Sequence, residues 1–166
     1  MKSVYFIRHA KAADKIPGQN DFERDLADKG RHDAQLMAKK LKMKGTQPDL
    51  IVSSTALRAL NTATLFAEAL AYDPQSIKTR DKLYNAAPES IQECLFEWDD
   101  NVETLLLFGH NPGISELAIE LSNEKADILP TCGIACFEFD IEQWQDAGQE
   151  TKKMVYQDFP AKGIGK

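Results

Sequence analysis

Cysteine, excess positive charge and long apolar runs are all scarce in this chain, and each shortage removes a class of explanation. Three cysteines in 166 residues, Cys94, Cys132 and Cys136, cannot make an even disulfide framework. Cys132 and Cys136 have neither a second Cys pair nor a His close by, so they read as small buried hydrophobes rather than metal ligands. Lys and Arg total 20 against 26 Asp and Glu, giving a net charge of −6. That balance argues against general attraction to nucleic acid or to an anionic membrane. No run approaches the roughly 20 apolar residues of a membrane span. The opening MKSVYFIRHA is too short in its apolar part for a signal peptide and shows no cleavage pattern, so a cytoplasmic location is expected. The acidic group Glu97, Asp99 and Asp100 lacks the spacing and turn glycine of a calcium loop. No linker, repeat or low-complexity run divides the sequence, so residues 1–166 are expected to form one domain, with 161–166 a frayed tail.

What is present has an ordinary globular balance, 43% apolar and 28% charged. Val4–Ile7, Leu50–Val52 and Thr104–Phe108 are short continuous apolar runs, as expected of strands buried on both faces. Ile134–Phe139 and Met154–Tyr156 are interrupted or flanked by polar residues and fit peripheral or antiparallel strands; Ser76–Arg80 fits a further short one. Between these runs lie helical stripes. One is Ala27, Gly30, Ala34, Met37 and Leu41; a second is Ala56, Ala59, Ala63, Ala67 and Leu70. Ile91, Leu95 and Trp98 form a third, and Ile114, Leu117 and Leu121 a fourth. Strands alternating with helices predict an α/β sandwich around a mostly parallel sheet.

In open sheets of this kind ligands bind beyond the carboxyl ends of the strands. Two of the three histidines follow buried strands directly. Arg8-His9 follows the first, where a guanidinium offers a planar fork suited to phosphoryl oxygens. A neutral imidazole there can attack phosphorus if its other ring nitrogen is held as a donor. Ser54 or Thr55 can cap the next helix, with Arg58 in the first turn, where the helix dipole disfavours a cation unless a ligand explains it. In Gly109-His110-Asn111-Pro112, Asn111 suits a helix cap and Pro112 the first helical position, which would fix His110 at the sheet edge. Taken singly, each piece also fits a solvated surface group or a loop cap.

Together the pieces resemble the histidine phosphatase superfamily, also called the phosphoglycerate mutase-like or RHG family. The similarity is to its short SixA-type phosphohistidine phosphatase branch. VYFIRHAKA at 4–12, RDLADKG at 24–30, SSTALRALNTA at 53–63, Leu83-Tyr84 and LLLFGHNPG at 105–113 carry it, in the family's order. The resemblance implies a three-layer α/β/α sandwich and a mechanism with no metal and no cofactor. It implies that His9 is the phosphorylated nucleophile, that Arg8, Arg58 and His110 hold the phosphoryl oxygens, and that Asn111 helps bind substrate.

Departures from the family pattern bear on substrate. Ala10 replaces the commoner Gly and Ala27 a frequent Thr, neither of which touches the chemistry. Larger relatives carry a Glu soon after the Leu-Xaa pair, but Leu83-Tyr84 is followed by Asn85, which cannot donate a proton as a general acid. Asp14, Glu23, Asp25 and Glu89 are the candidate acids, each equally readable as a surface carboxylate. A missing acid and a short chain without capping insertions favour a protein phosphohistidine, whose leaving nitrogen can be protonated beforehand. The rival readings are a small-molecule phosphomonoesterase in the same pocket and a non-catalytic phospho-ligand binding module. The protein is expected to be monomeric. His32 reads as a solvated helix residue, Lys11 and Lys15 as loop charges able to steer an anion, and Trp98 and Trp144 as packing groups.

Overall fold

The computed structural model describes residues 1–148 and 152–160, so the expected frayed tail at 161–166 lies outside the described residues. The segments expected to be strands become a six-stranded sheet in the order β3-β2-β4-β1-β5-β6. Its strands are β1 (Lys2–Arg8), β2 (Leu50–Ser54), β3 (Lys78–Arg80), β4 (Thr104–Gly109), β5 (Ile134–Phe139) and β6 (Lys152–Asp158). The pairs β1·β4, β2·β4 and β2·β3 are parallel, while β5 runs antiparallel to both β1 and β6.

Alternate residues of the central strands supply two separate cores, which is why their sequences are apolar without interruption. Val4, Phe6, Leu105 and Leu107 point to one side, against α3 (Pro88–Glu93) and α4 (Gly113–Leu121). Ile7, Ile51, Leu106 and Phe108 point to the other, against α1 (Asp28–Met43) and α2 (Leu57–Ala69). Helices thus cover both faces of the sheet. Each fully buried aliphatic or aromatic side chain in these cores contributes roughly 1.5–3 kcal/mol of transfer free energy. Trp98 and Trp144 are both buried in the α3–α4 core, and the three cysteines are free and buried. His32 is exposed on α1.

Three local expectations need correction. The third stripe is only partly helical: α3 stops at Glu93, and Leu95 and Phe96 continue in turns that bond three residues back, a tighter winding that still buries Ile91, Leu95 and Trp98. The α2 cap is Ala56, because Ser54 Oγ accepts from Ala56 N and so closes the turn before the helix. The α4 cap is Pro112, since Asn111 spends its amide elsewhere, accepting from the Ser115 hydroxyl four residues on at 2.6 Å and donating to the distant Leu129 carbonyl at 2.9 Å.

The topology opens a crevice in one place. From β1 the chain turns to α1 on one face of the sheet; from the adjacent β4 it turns to α4 on the other. Loops leaving neighbouring strands in opposite directions leave a gap at their carboxyl ends, the switch point where ligands bind in such sheets. Arg8 pairs with Gly109 in register, so His9 and His110 emerge side by side at that gap.

Candidate active site

A cleft of about 320 Å³ lies at the switch point, lined by Arg8, His9, Lys11, Ala12, Arg24, Arg58, Asn85, His110, Asn111 and Thr131. Four of these residues are cations and none is a carboxylate, so an acidic protein has gathered positive charge at one spot.

His9 is held from several directions. Its backbone N–H donates to Gly109 O at 3.0 Å, and its carbonyl accepts from Cys132 N at 3.0 Å. Its ring Nδ1 lies 2.7 Å from the Ala10 carbonyl, an acceptor only, so Nδ1 carries the proton and Nε2 keeps its lone pair. The same Ala10 residue donates its N–H to Thr62 Oγ1 at 3.0 Å, and Thr62 donates in turn to Arg58 O at 2.7 Å. The first turn of α2 is thereby tied to the residue that orients the His9 ring. His9 is 8% exposed, and burial first, then the charges of Arg58 and Arg8, outweigh the Ala10 bond and push its pKa down to about 4. At neutral pH the ring is uncharged, with its Nε2 lone pair free.

The His110 ring centroid stands 5.1 Å from that of His9, with Nε2 at 2.8 Å from Ser54 Oγ and Nδ1 buried without a protein partner. Burial and the neighbouring His9 and Arg58 push its pKa down to about 3. Arg8 donates one guanidinium N–H to the Leu129 carbonyl at 3.2 Å, while its Nε is buried with no partner; burial lowers its pKa. Arg58 is 7% exposed and is gripped by one loop residue, Asp21. It donates to the Asp21 carbonyl at 2.8 Å and to Asp21 Oδ2 at 2.9 Å. Asp21 also receives the Tyr84 hydroxyl at 2.8 Å and Arg24 at 3.1 Å. The Tyr84 bond first, then Arg24 and Arg58, outweigh burial and hold the Asp21 carboxyl well below the usual carboxylate range. Asp21 is an acceptor that fixes two arginines, not a proton donor.

The sequence profile of the histidine phosphatase superfamily (branch 1) matches residues 4–97, more than half of the chain. The chain belongs to the histidine phosphatase superfamily. It is 35% identical to an uncharacterised protein of Mycobacterium tuberculosis over 141 residues, 78% of this chain and 84% of that protein. In structure it is similar to the putative phosphohistidine phosphatase SixA from Agrobacterium tumefaciens, with a TM-score of 0.81 at 28% identity over 96% of this chain and 99% of the other. The protein histidine phosphatase SixA complexed with tungstate shares the fold, with a TM-score of 0.77 at 23% identity over 95% and 97% of the two chains.

In this member of the superfamily the five residues expected at the site, Arg8, His9, Arg58, His110 and Asn111, all line one cleft. The four candidate acids do not. Asp14 and Glu89 are exposed, and Glu23 accepts from Asn20 N–H in its own turn. Asp25 receives Leu26 N–H, Asn61 and Arg31; burial raises its pKa, but these bonds win and lower it. Asp21, Arg24 and Thr131 also stand at or beside the cleft, though the sequence pattern does not single them out as site residues. Arg24 lies inside the matching RDLADKG stretch, which was a usable signal; Asp21 had none. Asn85 has a left-handed backbone, φ 55°, a conformation that Asn tolerates better than Glu does, so its identity at the cleft also serves the turn.

Proposed function

We propose that this phosphatase removes phosphoryl groups from protein phosphohistidine through a covalent intermediate on His9, without a metal. His9 Nε2 attacks phosphorus as the bond to the substrate imidazole breaks, and the departing nitrogen leaves already protonated. Arg8, Arg58 and His110 hold the three non-bridging oxygens as phosphorus becomes trigonal bipyramidal, and water then hydrolyses the phosphohistidine. The observation that carries this reading is the 2.7 Å contact of His9 Nδ1 with the Ala10 carbonyl, which leaves Nε2 free beside a guanidinium-lined cleft. The absence of any carboxylate among the cleft-lining residues fits a leaving group that needs no enzymatic acid.

The test is turnover on a phosphohistidine peptide against a phosphoserine peptide and a panel of phosphorylated metabolites, with wild type and His9→Ala. Preferential release from phosphohistidine, abolished in His9→Ala, is the expected outcome; full turnover by His9→Ala would remove His9 from the mechanism. A small-molecule phosphomonoester is the second reading. It is favoured by Lys11 and Arg24, which give the cleft more positive charge than Arg8 and Arg58 alone. Faster turnover of a metabolite carrying a second anionic group would favour it.

A further inference from the structure

Ser54 ends β2, is fully buried, and stands behind the cleft rather than in its lining. Its Oγ accepts the Ala56 N–H at 3.2 Å and lies 2.8 Å from His110 Nε2. The amide occupies one acceptor position of the hydroxyl, and a buried hydroxyl must also place its own proton. Among the described residues, His110 Nε2 is the one acceptor in reach of it. A proton delivered to Nε2 requires that Nε2 be the bare nitrogen of the ring. His110 is neutral at working pH, so its single ring proton then sits on Nδ1. Nδ1 is the atom left buried without a protein partner, on a side chain 5% exposed that lines the cleft.

We infer that Ser54 is a positioning residue that locks His110 in its Nδ1–H tautomer, so that His110 presents a hydrogen-bond donor to a phosphoryl oxygen before substrate arrives. The opposite tautomer is worse on both sides of the ring. It would aim Nε2–H at an oxygen already accepting from Ala56, strand the Ser54 proton in a buried place, and turn the Nδ1 lone pair toward the anion. A donor fixed in advance needs no reorganisation at the moment of reaction, which is the form in which electrostatic stabilisation acts most strongly. The use made of that donor rests on the phosphatase reading. The tautomer itself does not.

The measurement is long-range nitrogen–proton correlation NMR of the histidine rings near pH 7, with and without inorganic phosphate. Wild type is expected to show the His110 proton on Nδ1 and a pyridine-like Nε2, with phosphate moving the Nδ1 resonance. A wild-type proton on Nε2 would overturn the inference. Ser54→Ala is expected to give a mixture of tautomers and a fall in kcat/KM of about tenfold, the loss of one aimed donor in part of the population. A pure Nδ1–H spectrum with unchanged kcat/KM in Ser54→Ala would remove Ser54 from the role. If Ser54→Ala does not fold, the wild-type spectrum decides alone. The spectrum is read without turnover, so an Nδ1–H His110 in a protein lacking His9-dependent hydrolysis would sustain the inference and defeat the phosphatase reading.

Discussion

At the residue scale the decisive fact is that two imidazoles are buried uncharged beside guanidinium groups. Burial and the nearby charges push the pKa of His9 down to about 4 and that of His110 to about 3 in the folded chain, against about 6.5 when unfolded. Between those values the unfolded chain binds protons that the folded chain refuses, so stability rises with pH over that window and is lost as pH falls through it. Each histidine contributes a slope of up to about 1.4 kcal/mol per pH unit. Urea unfolding of wild type at pH 7 and pH 5 is expected to show a clear drop at pH 5, and the His9→Gln/His110→Gln double variant a smaller one. Equal drops in both would mean that these rings are not buried neutral. Asp21 gives a second prediction. Its carboxylate orients Arg58 and raises the Tyr84 pKa through their hydrogen bond. Asp21→Asn is expected to lower kcat/KM roughly tenfold while the fold persists, as loss of an electrostatic support does. Ultraviolet titration is expected to show one tyrosine returning toward its ordinary pKa. Asp21 was not legible because it lies 37 positions from Arg58 and 63 from Tyr84, and nothing local marks a carboxylate in a short turn.

At the element scale, helices are docked by close approaches that tolerate little change. A Cβ on Gly113, the first residue of α4, would run into the Ala86 carbonyl and approach Ile91 Cδ1 at 3.2 Å. Gly113→Ala therefore must shift the start of α4 or the Ala86 loop, at a cost of about 1–3 kcal/mol. Since His110 O anchors Ile114 N–H at 3.0 Å, activity is expected to fall more than stability alone explains, which a denaturation curve and kcat/KM together would check. Thr62 on α2 is a comparable joint. Thr62→Val leaves the buried Ala10 N–H unpaired, expected to cost about 1–3 kcal/mol in thermal or urea unfolding. Element positions were legible in the sequence because periodicity reports burial. Their ends were less so. Ser54 and Asn111 are good capping residues, yet both give their side chains to tertiary partners, and the 91–98 stripe keeps its burial pattern after the helix has ended.

At the scale of the whole molecule, the inner parallel strands β1, β2 and β4 were legible as unbroken apolar runs, the antiparallel β5 and β6 as runs broken or flanked by polar residues, and the polar parallel edge strand β3 only as a short extended segment. Strand order was not, because it is fixed by which face each connection crosses rather than by any one segment. That order creates the crevice between β1 and β4, and it brings His9, Arg58 and His110 together from positions up to about a hundred residues apart. A chain of net charge −6 can hold a phosphoryl anion only by such local concentration of cations. The proposed hydrolysis depends on one species, a phosphorylated His9. Rapid quenching of turnover on a phosphohistidine peptide, followed by acid-free mass spectrometry, would capture it. One added phosphoryl group on the peptide containing His9, absent in His9→Ala, is the expected result. Full turnover with no phosphoryl group on His9 at any time would contradict it.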